Sequence, residues 1–284
     1  MRRVLRFLPV VRALCSAALL LAVLWPSWSF AGQPVWTFAV VPQFPPAQIY
    51  ADWQPLLQAL QRKTGLRFKL LVYPSIPEFE IAFTRGTPDF AYMNPYHVVM
   101  AHRSQGYVPL VRNDAPLSGI LVVRADSGIT SIHQLDGKSV AFPAPNAFGA
   151  SLYMRALLHG QGVHIVPHYV GSHDNVYRAV ARGDDAAGGA IMLTLSREPA
   201  GLRKHLRVIY TTPGAAPHAV VAAPRVPAAD RLLVQKALLA MGRDPADAAL
   251  LRGIQIPHPI QADYARDYVP LERLHLEHFL VRPK

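Results

Sequence analysis

The sequence predicts an α/β protein of two lobes with a ligand cleft between them, and three observations lead there. Apolar strand-like segments and amphipathic helix-like segments alternate along nearly the whole chain. Three junctions, at Phe90–Tyr96, Val140–Ala147 and Tyr169–Val176, repeat one grammar of strand, short turn and helix start. Two turn-rich stretches, Asp114–Gly119 (DAPLSG) and Thr212–Pro217 (TPGAAP), each lead into an apolar strand. Alternation implies mostly parallel pairing with helices on both faces. In open sheets of this kind, ligands settle outside the carboxyl ends of strands, where helix N–H groups and the helix dipole point outward. If the chain crosses at both turn-rich stretches, residues 119–213 form one lobe and 33–117 plus 215–284 the other. Two connecting strands then make a hinge around a cleft that can close. A single continuous sheet with two ordinary loops is the alternative, and periodicity does not separate the two.

The chain opens on Arg2, Arg3, Arg6 and Arg12, then an uncharged apolar run from Ala13 to Trp25, then Ser29-Phe30-Ala31 before Gly32. This is the tripartite pattern of a secretory signal peptide over residues 1–31, so a secreted mature protein is expected. A retained membrane anchor is the alternative, for which the apolar run is short. Cys15 is the only cysteine and falls inside that segment. The mature chain is therefore expected to have no disulfide, thiolate metal site or cysteine nucleophile. It relies on its core, and its length suffices for one large or two medium domains.

Trp36–Val41 reads as the first strand and Gln43–Ile49 as a Pro-rich loop. Trp53, Leu56, Leu57 and Leu60 give Ala51–Thr64 helical spacing, with Gly65 placed to stop it. Arg67–Tyr73 (strand), Ile76–Arg85 (helix), Asp89–Tyr92 (strand) and Pro95–Ser104 (helix) follow, then strands at Val108–Val111 and Ile120–Arg124. A helical turn at Ile132–Leu135 precedes the strand Ser139–Phe142, and Ala147–His159 reads as one helix. Ile165–Tyr169, Ala187–Met192, Val208–Thr211 and His218–Ala223 read as strands. Asp174–Arg182, Arg231–Met241, Pro245–Leu251 and Ala262–Glu272 read as helices. Asp184 and Asp185, in the turn after Gly183, and Asp89 are expected to face solvent.

The formal net charge is +11, but the basic residues are scattered and form no stripe interleaved with aromatics. A solvated basic surface is the reading, with no nucleic-acid partner. Attraction to an anionic membrane or an acidic partner is the lesser alternative. Ser151 and Ser172 lie in no G-x-S-x-G elbow, and there is no P-loop or dinucleotide fingerprint, so neither an enzyme nor a cofactor is expected. Met93, His97 and Met100 fall at i, i+4 and i+7 with His102 nearby, a donor set that suits copper. Core packing is the plainer reading of that spacing, and no metal ligands are assigned.

YMNP (92–95) after an aspartate-containing strand, LDGKSVAF (135–142), a Pro-Asn helix start and GSHDNVYRAVARGDDAAGGA (171–190) occur in that order. Together they resemble the substrate-binding components of phosphate, phosphite and phosphonate import systems, among the type 2 periplasmic binding proteins. The resemblance covers roughly residues 35–280. It implies a periplasmic location for the secreted chain, two α/β lobes around a small-molecule cleft, a monomer, and hand-over to an inner-membrane ABC permease with a cytoplasmic ATPase. The alternative on the same fold is a ligand sensor, or a carrier of a lipid-like or metal ligand, acting with a kinase or an envelope complex.

The candidate site follows from the three junctions. Asn94 suits an N-cap and Pro95 the first helical position, with Tyr92 and Met93 on the strand end beside them. Asn146 is expected to cap the helix beginning at Ala147 in the same way. Ser172 or Asp174 can cap the helix to Arg182, leaving His173 and Asp174 within reach of a ligand. Where phosphonate-binding members carry hydroxyl residues after the Pro-Asn turn, this chain has Ala147, Phe148 and Gly149, and the nearest hydroxyl is Ser151. Ile76 and Met93 stand where the family carries aromatics. Charge-assisted bonds of the missing kind are worth about 1.5–3 kcal/mol each, so a dianion should bind poorly. Phe148, Met93, Ile76, Phe44 and Met192 are expected to make the cleft apolar and to favour a less charged ligand.

Overall fold

The first strand, β1 (Val35–Val40), pairs in parallel with β2 (Arg67–Val72) on one side and β3 (Phe90–Met93) on the other. The computed structural model describes residues 34–281, so the signal-peptide expectation lies outside the described residues. Helices α1 (Pro46–Thr64), α2 (Ile76–Thr84) and α3 (Pro95–Gln105) make the connections around these strands. α1 begins inside the expected loop, because Pro46 suits the first helical turn, and ends at Gly65 in the left-handed conformation (φ 75°). With β4 (Val108–Asn113), β10 (Ala219–Ala222) and β11 (Pro259–Gln261), these strands form a six-stranded sheet in the order β11-β4-β10-β3-β1-β2.

Between β4 and β5 (Gly119–Arg124) the chain passes to a second sheet. That sheet also holds β6 (Ser139–Phe142), β7 (Val166–Tyr169), β8 (Ala187–Ile191) and β9 (Leu206–Thr211), in the order β7-β6-β8-β5-β9. The chain returns between β9 and β10, and the two passages meet in a bridge between Leu117 and Ala215. Helices α4 (Tyr153–Gly160), α5 (His173–Arg182), α6 (Met192–Arg197) and α7 (Ala200–Arg203) belong to this stretch. α8 (Ala228–Met241), α9 (Ala248–Gly253), α10 (Tyr264–Asp267) and α11 (Val269–Glu272) follow β10. The fold is thus a two-lobed α/β architecture.

Both sheets are mixed rather than mostly parallel. β5 runs antiparallel to β8 and β9, and β10 antiparallel to β3 and β4. Each of these strands arrives from the other sheet, not through a helical crossover, so nothing imposes the parallel direction. β11, α6 and α7 are not expected from the sequence. β11 is three residues long and α7 four, and α6 starts where the expected strand runs on to Met192.

Two aspartates expected in solvent stitch strands together instead. Asp185 is buried and receives hydrogen bonds from Ser139 Oγ and, at 2.9 Å, from His168 Nδ1. Asp89, half-buried, accepts from Thr37 N at 2.8 Å, Thr37 Oγ1 at 2.6 Å and Arg225 Nε at 2.8 Å. Asp184 alone of the three is exposed.

The expected helix from Ala147 is two structures in series. Phe148–Leu152 is a single π-turn that runs into α4. The Ala147 carbonyl accepts from Ser151 N at 2.8 Å and from Leu152 N at 3.1 Å, which widens the turn. Glycine makes room for it. A Cβ on Gly119 would collide with the Gly149 carbonyl, and one on Gly189 would collide with the Ala150 carbonyl. The core is correspondingly continuous: Phe148, Leu152 and Ile191 pack in the same apolar cluster as Ile76, Met93 and Leu117.

Candidate functional site

Asn94 is extended (φ −66°, ψ 161°), and its side chain accepts from His97 N–H at 2.8 Å. This cap places the N-terminus of α3 at the carboxyl end of β3, with its free N–H groups and dipole toward the second lobe. Pro95 follows at the helix start, where its missing N–H costs nothing. At α5, Ser172 is the cap, accepting from Asn175 N–H at 3.3 Å, so His173 and Asp174 are released from that task.

Asn146 does something else. Its Nδ2 donates to Glu80 Oε2 at 3.0 Å and to the Val281 carbonyl at 2.7 Å, while its Oδ1 accepts from Val281 N–H at 3.0 Å. No side chain caps the π-turn, so the expected Asn146 cap is corrected. Both faces of its amide are already engaged across the lobes. Its backbone carbonyl also accepts from Asn94 Nδ2 at 3.2 Å, which joins the two helix starts directly. Glu80 Oε1 lies 2.8 Å from His97 Nε2, and the His97 ring is boxed by Phe79 and Phe83.

The walls of the cleft meet around a cavity of ≈10 Å³, room for about one water molecule. One lobe contributes Gln43, Ile76, Asn94 and His218, and the other Phe148 and His173. No lysine, arginine, aspartate or glutamate lines it. Burial pushes His173 down to about 4. Burial, with the neighbouring His97 and His173 rings, pushes His218 down to about 3. Both imidazoles are neutral near pH 7. The Gln43 amide donates from Nε2 to His218 Nε2 at 2.6 Å, which puts the His218 proton on Nδ1. His173 Nδ1 lies 3.3 Å from Thr194 Oγ1. Tyr92 stacks on His218 (centroids 5.3 Å apart) and meets Trp53 at a tilt (4.9 Å), so a chain of rings runs from the cavity wall into the first lobe. Burial pushes the Tyr92 phenol well above its ordinary value.

Of the sequence-predicted residues, the cavity brings together Asn94, Ala147, Phe148, Gly149 and His173. Met93 is fully buried behind it, and Ser151, also buried, accepts from Arg155 Nε at 3.2 Å. Phe44 lies under the Arg197 guanidinium, 4.6 Å from the ring centroid, and shares a separate depression with Asp174. Met192 is half-exposed and, with Tyr92, borders another cavity. Ser172 remains a cap. Sequence reasoning missed Gln43, Leu117 and His218. Gln43 and His218 flank β1 and β10, and only the pairing of those strands with β3 brings them together. Across the mouth, Arg197 of the second lobe reaches Asp52 of the first at 2.8 Å.

Among known families, the model for the periplasmic substrate-binding protein of ABC phosphonate transporters matches residues 38–268. The chain belongs to this family. It is 27% identical over 176 residues to the phosphate-import protein PhnD of Mycolicibacterium smegmatis, an alignment covering 54% of each chain. The chain thus spans about half the length of the curated relative it matches. Its fold is similar to a methylphosphonate complex of PhnD1 from Prochlorococcus marinus, with a TM-score of 0.79, 14% identity and coverage of 86% and 98% of the two chains. It is likewise similar to a binding protein component of an ABC phosphonate transporter from Pseudomonas aeruginosa, with a TM-score of 0.78, 15% identity and coverage of 87% and 88%. Among the described residues, no helix is long and apolar enough to cross a membrane.

Proposed function

We propose that this chain captures a small, weakly charged solute in the periplasm and delivers it to an ABC permease and ATPase. The lobes are residues 33–117 plus 215–284 and residues 119–213, joined by the two passages that bridge at Leu117 and Ala215. The observation that carries the reading is the shared cavity. Helix starts from both lobes converge on it, yet its lining offers amide, imidazole and apolar groups and no charged side chain. A dianion placed there would meet helix dipoles and N–H donors but no cation, and desolvating it would be poorly compensated. An uncharged or singly charged ligand is favoured, because Phe148 and Ile76 supply contact area and Asn94, Gln43 and the neutral histidines supply a few directed hydrogen bonds.

With Arg197 on Asp52 the space between the helix starts holds about one water, so admitting a solute requires the lobes to part and contacts such as this one to break. The test is a ligand panel of inorganic phosphate, methylphosphonate and uncharged small solutes, read by fluorescence and calorimetry. Trp53 reports on the cavity through Tyr92 and His218. Saturable binding of a weakly charged solute, with weak binding of both oxyanions, supports the reading. Tight binding of either oxyanion overturns it.

A further inference from the structure

The end of the chain leaves the lobe it belongs to. α11 packs on α3 in the first lobe, where Arg103 reaches Glu272 at 2.7 Å. The chain then turns at His275, whose backbone (φ 48°, ψ 40°) lies in the left-handed region that glycine adopts freely and other residues only at a cost. Beyond it, Leu276–Phe279 form one 3₁₀ turn that packs on α4 of the second lobe, with Leu276 buried in the continuous core.

Hydrogen bonds and a ring contact fasten this tail to the second lobe. Val281 N–H donates to Asn146 Oδ1 at 3.0 Å, and Asn146 Nδ2 donates back to the Val281 carbonyl at 2.7 Å. Arg155 Nη2 donates to the Phe279 carbonyl and to the Pro145 carbonyl, each at 2.8 Å, so one guanidinium holds the tail against the chain just before the π-turn. The Phe279 ring meets the His159 ring edge-on, with centroids 5.5 Å apart. Among the described residues no carboxylate pairs with Arg155, whose remaining bond goes to Ser151 Oγ. Its charge is committed to these neutral acceptors, and charged donors make the stronger hydrogen bonds. The stretch from Asn146 to Arg155 carries Ala147, Phe148 and Gly149, so the tail grips the segment that walls the helix-start cavity.

We propose that residues 275–281 are a strap that holds the unliganded cleft shut. It is anchored to the first lobe through α11 and to the second through Asn146 and Arg155, and it must let go before the lobes part. The closed cleft has room for about one water molecule, so a solute waits on that release, and the strap sets how often the cleft stands open. The inference rests on the two-lobed reading above and not on which solute enters.

The test needs no solute. Cys15→Ser removes the one cysteine of the chain. In that background Ala147→Cys puts a thiol in the cavity wall between the lobes, and Ala179→Cys puts one inside α5 of the second lobe, both at buried positions. In excess thiol reagent each rate scales with the population that exposes the site: parted lobes for the first, an unfolded second lobe for the other. Val281→Pro deletes the N–H that Asn146 accepts, at a position 45% exposed near the chain's end, so the protein stays folded. Arg155→Met deletes the guanidinium and keeps most of the apolar stem. The thiol at 147 should react about threefold faster with Val281→Pro and about tenfold faster with Arg155→Met, while the thiol at 179 keeps its rate. An unchanged rate at 147 in both variants overturns the proposal, because the tail then rides with the second lobe. Equal acceleration at 147 and 179 overturns it too, because the tail then only stabilises the fold. The solute panel above can fail with this result intact, and the reverse.

Discussion

The helix starts at Asn94 and at Asn146 look alike in sequence and behave oppositely in the structure. Asn94 spends its side-chain oxygen on its own helix, accepting from His97 N–H at 2.8 Å. Asn146 leaves its turn uncapped and joins Glu80 and Val281 across the lobes. The difference teaches that a capping residue caps only when no better partner is buried beside it. The buried Glu80 carboxyl, together with the Val281 backbone at the chain's end, takes the Asn146 amide in place of one N–H at the π-turn. One start therefore presents its dipole to the cleft, while the other ties the lobes together.

The largest effect expected from this arrangement is with acid. His173 and His218 sit between the two starts and are held neutral, pushed down to about 4 and about 3. Unfolded histidine titrates near 6.5, so as pH falls below that value the unfolded chain takes up protons that the folded chain refuses. Stability contributed by the neutral rings is intact above pH 6.5 and is lost progressively toward pH 3. Denaturant titrations across that window should show the midpoint falling. A flat profile would mean that the folded rings take up protons as readily as the unfolded ones, and that burial does not hold them neutral.

Next in size is Asn146→Ala. It strips the buried Glu80 Oε2 of a partner, at a cost of about 1–3 kcal/mol with a carboxyl at the upper end, while water can take over the exposed Val281 groups, so a loss of about 3 kcal/mol is expected. Asn94→Ala removes one cap and one contact between the lobes, for about 1–2 kcal/mol. Urea midpoints that reverse this order would break the comparison. Ser172→Ala, at a half-buried cap, should cost the least, about 1 kcal/mol or below, and should leave ligand affinity unchanged.

Much of this was legible in the sequence, and the limits have a physical origin. Caps at Asn94 and Ser172 were readable because their partners lie three residues downstream. The role of Asn146 was not, because its partners lie 66 and 135 residues away. The π-turn was read as ordinary helix, since its geometry comes from Gly119 and Gly189 on strands packed beneath it and not from its own residues. Asp185 has a turn-like local sequence, and only the pairing of β6 with β7 and β8 brings Ser139 and His168 to it. The absence of hydroxyls at Ala147, Phe148 and Gly149 was plain in the sequence. The neutrality of the cavity they border was not, because it depends on burial of His173 and His218.

Calorimetric titration of methylphosphonate into wild type and a Phe148→Ser variant puts the uncharged cleft to its most direct test. The account predicts weak or no binding by the wild type near pH 7 and a measurable gain when the hydroxyl is restored. Submicromolar wild-type affinity, unaffected by the substitution, would contradict it.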